Sequence, residues 1–183
     1  MVGRGIFAAA IGVVLWSSSI AAGGGRAIPP RPVGFLATQG QVWVDSQVAP
    51  SGTALFPGDI ITTGKAAIAE VNLHSGATAT LSEDAELRLS QDSASSDMLL
   101  TRGTLAVRNP GLPATHVSVS GATVVVEGEP GFPAICRIAF SGRAASIMAD
   151  RGRVGIRNRG TSRLLLPGKL VSGSSRRYRP RWP

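Results

Sequence analysis

Acidic, thiol and imidazole side chains are scattered along this chain, and none falls at a spacing that would assemble a catalytic or metal-binding centre. Asp59 is the acid most open to a chemical role, because it follows the turn-forming pair Pro57-Gly58 and precedes Ile60-Ile61. An Asp in such a turn satisfies itself by accepting hydrogen bonds from nearby backbone N–H groups, so a structural role is expected. Glu83, Asp84 and Glu86 form a local acidic group. A calcium loop needs more oxygen ligands around a Gly-centred bend, which makes this a solvated loop. Glu127 and Glu129 straddle Gly128. A hydrolytic carboxylate pair needs two different environments to separate its pKa values, and nothing nearby supplies them. His74 and His116 have no Cys or acidic partner at ligand spacing. The single Cys, Cys136, sits in the apolar run from Ala134 to Phe140, where strand alternation would bury it as an inert thiol. No nucleophile-elbow, zinc-protease, Ser-x-x-Lys or phosphate-cradling glycine motif follows the N-terminal segment. The expectation is a protein that is not an enzyme and uses no cofactor or metal.

The residues that could act together are cations. Residues 1–142 hold 8 Lys and Arg against 10 Asp and Glu, a balance of −2, whereas residues 143–183 hold 11 against 1, a balance of +10. The end of the chain interleaves Arg176, Arg177, Arg179 and Arg181 with Tyr178 and Trp182, and its prolines oppose a helix. Arg176, Arg177, Arg179, Arg181 and Trp182 are therefore candidate contacts to an anionic surface, each Arg contributing about 1 kcal/mol near an anionic membrane. Anionic lipid, lipopolysaccharide or a cell-wall polymer would suit them. Nucleic acid would read the same charges but is not expected for an exported chain.

Export is expected from the N-terminus. Arg4 is followed by an apolar run from Ile6 to Trp16 and then by Ser17-Ser-Ser-Ile-Ala-Ala22. This is the layout of a secretory signal with cleavage after Ala21 or Ala22, and its apolar core falls short of the ~20 residues that span a bilayer. No transmembrane span is expected after cleavage. Residues 23–35 mix glycines with Pro29-Pro30-Arg31-Pro32 and form a linker. Residues 36–172 are left as one domain, and 173–183 as a basic, disordered tail. The location is periplasmic or secreted.

The elements that must position any site are strands. From Thr38 onward, short alternating segments are divided by Gly, Pro, Asn, Asp and Ser at intervals near ten residues, the pattern of an all-β, sandwich-like or short solenoid-like domain. Pro57-Gly58-Asp59 reverses the chain, and Ile60–Thr63 and Ala66–Leu73 follow as strands. Glu86-Leu-Arg-Leu89 alternates with period two, and 93–96 has loop composition. Gly40-Gln-Val-Trp-Val, Gly103-Thr-Leu-Ala-Val and Gly152-Arg-Val-Gly-Ile each place apolar residues two and four positions after a glycine. This recurrence lacks a fixed period, so it marks a strand-entry device used three times. The predicted core comprises Val42, Val44, Ile60, Ile68, Val71, Leu73, Leu87, Leu105, Val107, Ile138, Val154 and Ile156.

In order and spacing, Gly40-Gln-Val-Trp-Val, Leu55-Phe-Pro-Gly-Asp-Ile-Ile-Thr-Thr-Gly64, Val71-Asn-Leu-His-Ser-Gly76, Leu99-Leu-Thr-Arg-Gly-Thr-Leu105, Asp150-Arg-Gly-Arg-Val154 and Leu166-Pro-Gly-Lys169 resemble the FecR-type periplasmic domain. The resemblance spans about Thr38 to Val171. It implies an extracytoplasmic all-β domain of the kind used in cell-surface signalling, where it receives a signal from an outer-membrane receptor. In a membrane-spanning regulator of that kind a cytoplasmic segment and a span precede the domain, whereas here only the signal-like segment and linker do. The expected function is thus an exported, non-catalytic module that binds or senses an envelope protein through loops or an open sheet edge. The alternatives are a structural envelope protein docked by its basic tail, and a carbohydrate-active enzyme.

Overall fold

A computed structural model describes residues 31–90, 98–158 and 161–174. The described residues form strands, turns and loops with no helix: β1 (Gly34–Gln39), β2 (Val42–Val44), β3 (Gln47–Val48), β4 (Ala54–Leu55), β5 (Ile60–Thr63), β6 (Ile68–Leu73), β7 (Thr78–Leu81), β8 (Glu86–Leu89), β9 (Met98–Asn109), β10 (Thr115–Val119), β11 (Ala122–Glu127), β12 (Ala134–Phe140), β13 (Ala144–Arg151), β14 (Arg153–Asn158), β15 (Thr161–Leu165) and β16 (Leu170–Ser174). They build two sheets. The first runs β4-β1-β6-β7-β9-β12-β13-β16, the second β3-β2-β5-β8-β9-β10-β11-β14-β15, and β9 belongs to both. Every pairing is antiparallel except β9 with β10.

The alternation that makes these segments strands also fills the core. Leu105 and Val107 on β9, Cys136 and Ile138 on β12, Ile147 and Ala149 on β13, and Val154 and Ile156 on β14 are buried and join a single cluster with residues from both sheets. Each fully buried Leu, Ile or Val there stabilises the fold by about 1.5–3 kcal/mol. Two-residue turns join the tightest hairpins. Asp45-Ser46 and Ser120-Gly121 all have positive φ, the geometry that matches the twist of the flanking strands.

The three glycines of the recurring segment mark places where the chain passes from one sheet to the other. Gly40 separates β1 from β2, Gly103 divides the two halves of β9, and Gly152 separates β13 from β14. Their φ values are +81°, +88° and +77°. A Cβ on each would lie 2.9 Å from the Cα of Ala67, 2.5 Å from that of Ala85 and 2.6 Å from that of Ala134. Only glycine permits both the left-handed turn and the close approach of a buried alanine. The device read three times in the sequence is thus a corner.

Most of the predicted core is buried, with three differences. Ile68 is 44% exposed, because the inward phase of β6 is set by Ala67, Ala69, Val71 and Leu73, an odd offset from Ile68. Ile60 is half-buried, since Ile61 and Thr63 are the inward members of β5. Val44 is half-buried beside the Asp45-Ser46 turn. β1 begins at Gly34 and β16 ends at Ser174, each two residues beyond the limits of the domain read from composition.

Two buried polar side chains hold loops that composition alone does not reveal. Thr63 donates its hydroxyl to Ser82 O (2.6 Å) and accepts from Ala85 N (2.9 Å), fixing the turn between β7 and β8. Asn109 donates to Pro113 O and Val126 O, both at 2.9 Å, and accepts from Gly111 N at 3.1 Å. Buried backbone groups require such partners.

Candidate partner-docking site

Asp59, Glu83, Glu86 and Glu129 make structural contacts, and the thiol is buried. Gly58 has a φ of +97°, and the Asp59 carboxylate accepts from Phe56 N at 2.8 Å, so the residue closes its own turn. Partial burial raises the Asp59 pKa; the Phe56 N–H opposes that rise, and the Asp45 charge adds to it. Glu83 accepts from Ala66 N at 2.9 Å, holding a residue with a φ of +53°. Glu86 accepts from the Thr101 hydroxyl. Glu129 faces Arg153 at 3.8 Å on the surface. Burial pushes the Cys136 thiol up to about 12, with the Asp150 charge adding to the effect, so the thiolate is suppressed at neutral pH. Among the described residues, no three His, Cys, Asp or Glu side chains group where a metal ion could be held. Arg176, Arg177, Arg179, Arg181 and Trp182 lie outside the described residues, as does the 93–96 loop.

The geometry instead singles out the ends of the two sheets. A sheet edge presents unpaired N–H and C=O groups that can template a further strand, and soluble proteins blunt edges with short strands, charge, proline or covering loops. Both edges nearer the N-terminus are blunted in this way. β4 and β3 have two residues each. The free side of β1 is further covered by the loop that leads into β4: Leu36 N donates to Thr53 O (2.9 Å), Gly52 N to Leu36 O (2.7 Å), and Thr38 N to the Ser51 hydroxyl (2.8 Å).

The opposite edges are β15 and β16, both formed by the segment from Thr161 to Ser174. β15 carries Arg163 in its middle. β16, with the sequence Leu-Val-Ser-Gly-Ser, has five residues, no charge and no proline, and pairs only with β13 among the described residues. Ala149 N donates to Lys169 O, which places Lys169, and by alternation Val171 and Gly173, with their backbone groups toward β13. Leu170, Ser172 and Ser174 then turn theirs outward. Leu170 is 62% exposed, and Leu164 and Leu166 are also exposed nearby in sequence. On the outer face, Ser172 continues a cross-strand row with Ser146, Ala139 and Thr104, which line a shallow depression of about 380 Å³ with no ionisable group.

Charge gathers in the same part of the chain. Within 143–174 the described cations are Arg143, Arg151, Arg153, Arg157, Arg163 and Lys169, and the one acid, Asp150, is engaged by Arg137 through two hydrogen bonds of 2.8 and 2.9 Å. That bidentate contact holds the Asp150 carboxyl below the usual carboxylate range. The segment 143–174 is therefore rich in cations; Arg163 and Lys169 lie in the stretch that forms the two edges, and Arg153 is met by Glu129. The sequence led to an expectation of docking through loops or an open sheet edge and of basic contacts in the final residues, without naming this edge. The run Leu164-Leu-Leu166 marks apolar exposure nearby in the chain, since only Leu165 is buried, but nothing in it marks β16 as an edge.

No protein-family model matches the chain, and no curated protein is similar to it. Its fold is similar to that of a candidate anti-sigma factor from Parabacteroides distasonis, seen in two crystal structures. The TM-scores are 0.55 and 0.53 at 16% identity, and each match covers 63% of this chain and 55% of the neighbour. The chain thus spans just over half the length of the proteins whose fold it shares. The described part is all-β, and no helix in it is long and apolar enough to cross a membrane.

Proposed function

We propose that this chain is an exported, non-catalytic sensing or regulatory domain of the FecR type that works by docking another envelope protein on its C-terminal sheet edge. The observation that carries the proposal is the asymmetry of the edges. β1 is covered along its free side and β3 has two residues, while among the described residues β16 presents uncharged backbone paired on one side only, beside the exposed Leu170. The fold shared with a candidate anti-sigma factor supports a regulatory role, and the signal-like N-terminal segment supports export. Asp59 and Glu83 serve turns and Glu129 a surface pair, which supports a structural role for these acids.

A photoreactive residue in place of Ser172, expressed in the native host, tests this. A discrete cross-linked adduct in the envelope fraction is expected from position 172 and not from Val48 on β3. It should persist when residues 175–183 are removed. Equal labelling from both positions, or none from 172, contradicts docking at this edge, and an adduct lost on truncation assigns the contact to the basic tail. Intact mass of the same material reports export: a product beginning at Met1 contradicts it.

A further inference from the structure

Resting on that reading of β16, we infer that its occupant is an extended, acidic segment of another protein, which joins the first sheet as an added strand. Three observations set the class of ligand. The outward backbone groups of Leu170, Ser172 and Ser174 demand a partner in β conformation, since only extended backbone matches their spacing. The side chains flanking them call for alternation. A residue beside Val171 would face the core margin where Val171 packs and is best apolar, while one beside Leu170 or Ser172 would lie on the exposed outer face, where an acid stays in water. The charge calls for acids, because Lys169 adjoins the strand, Arg163 lies on β15 in the same edge-forming segment, and Asp150 on the partner strand β13 is already engaged by Arg137.

Charge also decides against a second copy of the chain. Two copies joined through β16 would bring together two 161–174 segments that each carry Arg163 and Lys169 and no acid, so like charge opposes that pairing while favouring an acidic strand.

The test uses the full-length exported protein and two fluorescent octapeptides of alternating Val with Glu and Val with Lys, read by anisotropy. The Glu peptide should bind, the Lys peptide should not, and binding should weaken several-fold between about 50 and 300 mM salt. Ser172→Pro removes one outward N–H without touching the bonds to β13, so it should keep the melting temperature and weaken binding about 10-fold. Ser172→Ala, which keeps the backbone, should bind as the parent does. Equal binding of both peptides, an unaffected Ser172→Pro variant, or concentration-dependent dimerisation that the Glu peptide does not compete with would overturn the inference. If the peptides fail while the Ser172 cross-link still forms, the docking edge stands and the acidic class of its occupant is wrong.

Discussion

Replacing Gly103 by Ala separates two effects that the corner combines. The φ of +88° costs an L-residue about 1–2 kcal/mol wherever it occurs. The new Cβ would also lie 2.5 Å from the Cα of Ala85, a buried residue whose N–H is held by Thr63, so the neighbour has little freedom to retreat. Overpacking of this kind costs a further ~1–3 kcal/mol. Gly142→Ala provides the control, since Gly142 has a φ of +82° and nothing within 4 Å of its Cβ position. The expected loss is about 3–4 kcal/mol for Gly103→Ala and about 1 kcal/mol for Gly142→Ala, measured by urea unfolding. In a domain of this size the first should lower Tm by roughly 6–14 °C. Adding Ala85→Gly removes the alanine Cβ but leaves its Cα, so it should restore only part of the loss. Equal costs at positions 103 and 142 would refute the close approach, and with it the corner as the reason for the repeated glycine.

Other consequences are as direct. Asn109→Ala should cost about 3 kcal/mol in urea unfolding, because it strands the carbonyls of Pro113 and Val126 and the N–H of Gly111; a loss below about 1 kcal/mol would mean that the loop finds other partners. Cys136 should resist maleimide in the native protein at pH 8 and react stoichiometrically in denaturant, and fast native labelling would contradict its burial. The Asp150 carboxyl has a lowered folded-state pKa, so its contribution is present above the ordinary carboxylate pKa and lost as pH falls through the folded value. The stability difference between the parent and Asp150→Asn should accordingly vanish on acidification, and a difference that persists below the folded value would assign the effect to something other than charge.

Strand content and the inward faces of most strands were legible because period-two alternation reports burial directly, as at Leu105/Val107 and Val154/Ile156. It misled at Ile68, where side-chain size suggested burial while the small residues Ala67 and Ala69 set the phase of β6. The recurring glycine segment was visible as a pattern, but its meaning was not, since Ala85 and Ala134 approach Gly103 and Gly152 only through the fold. Thr63 and Asn109 escaped notice because a buried hydroxyl or amide is recognised by its long-range backbone partners. The docking edge was hidden for a related reason. Whether a strand lies at an edge depends on its neighbours, and nothing local to Leu170–Ser174 says that β16 lacks one. The N-terminal segment and the arginines at the C-terminus were conspicuous in composition, and they lie outside the described residues.

Residue-resolved amide exchange of the isotopically labelled protein, with and without the Glu/Val octapeptide, tests the central claim most directly. In the free protein the amides of Leu170, Ser172 and Ser174 should exchange quickly, while those of Val171 and Gly173, bonded to β13, exchange slowly. With the peptide bound, the three outward amides should slow and the two inward ones should hardly change. Protection confined to β15 or to the loops, or outward amides that stay fast at saturating peptide, would contradict strand addition at β16.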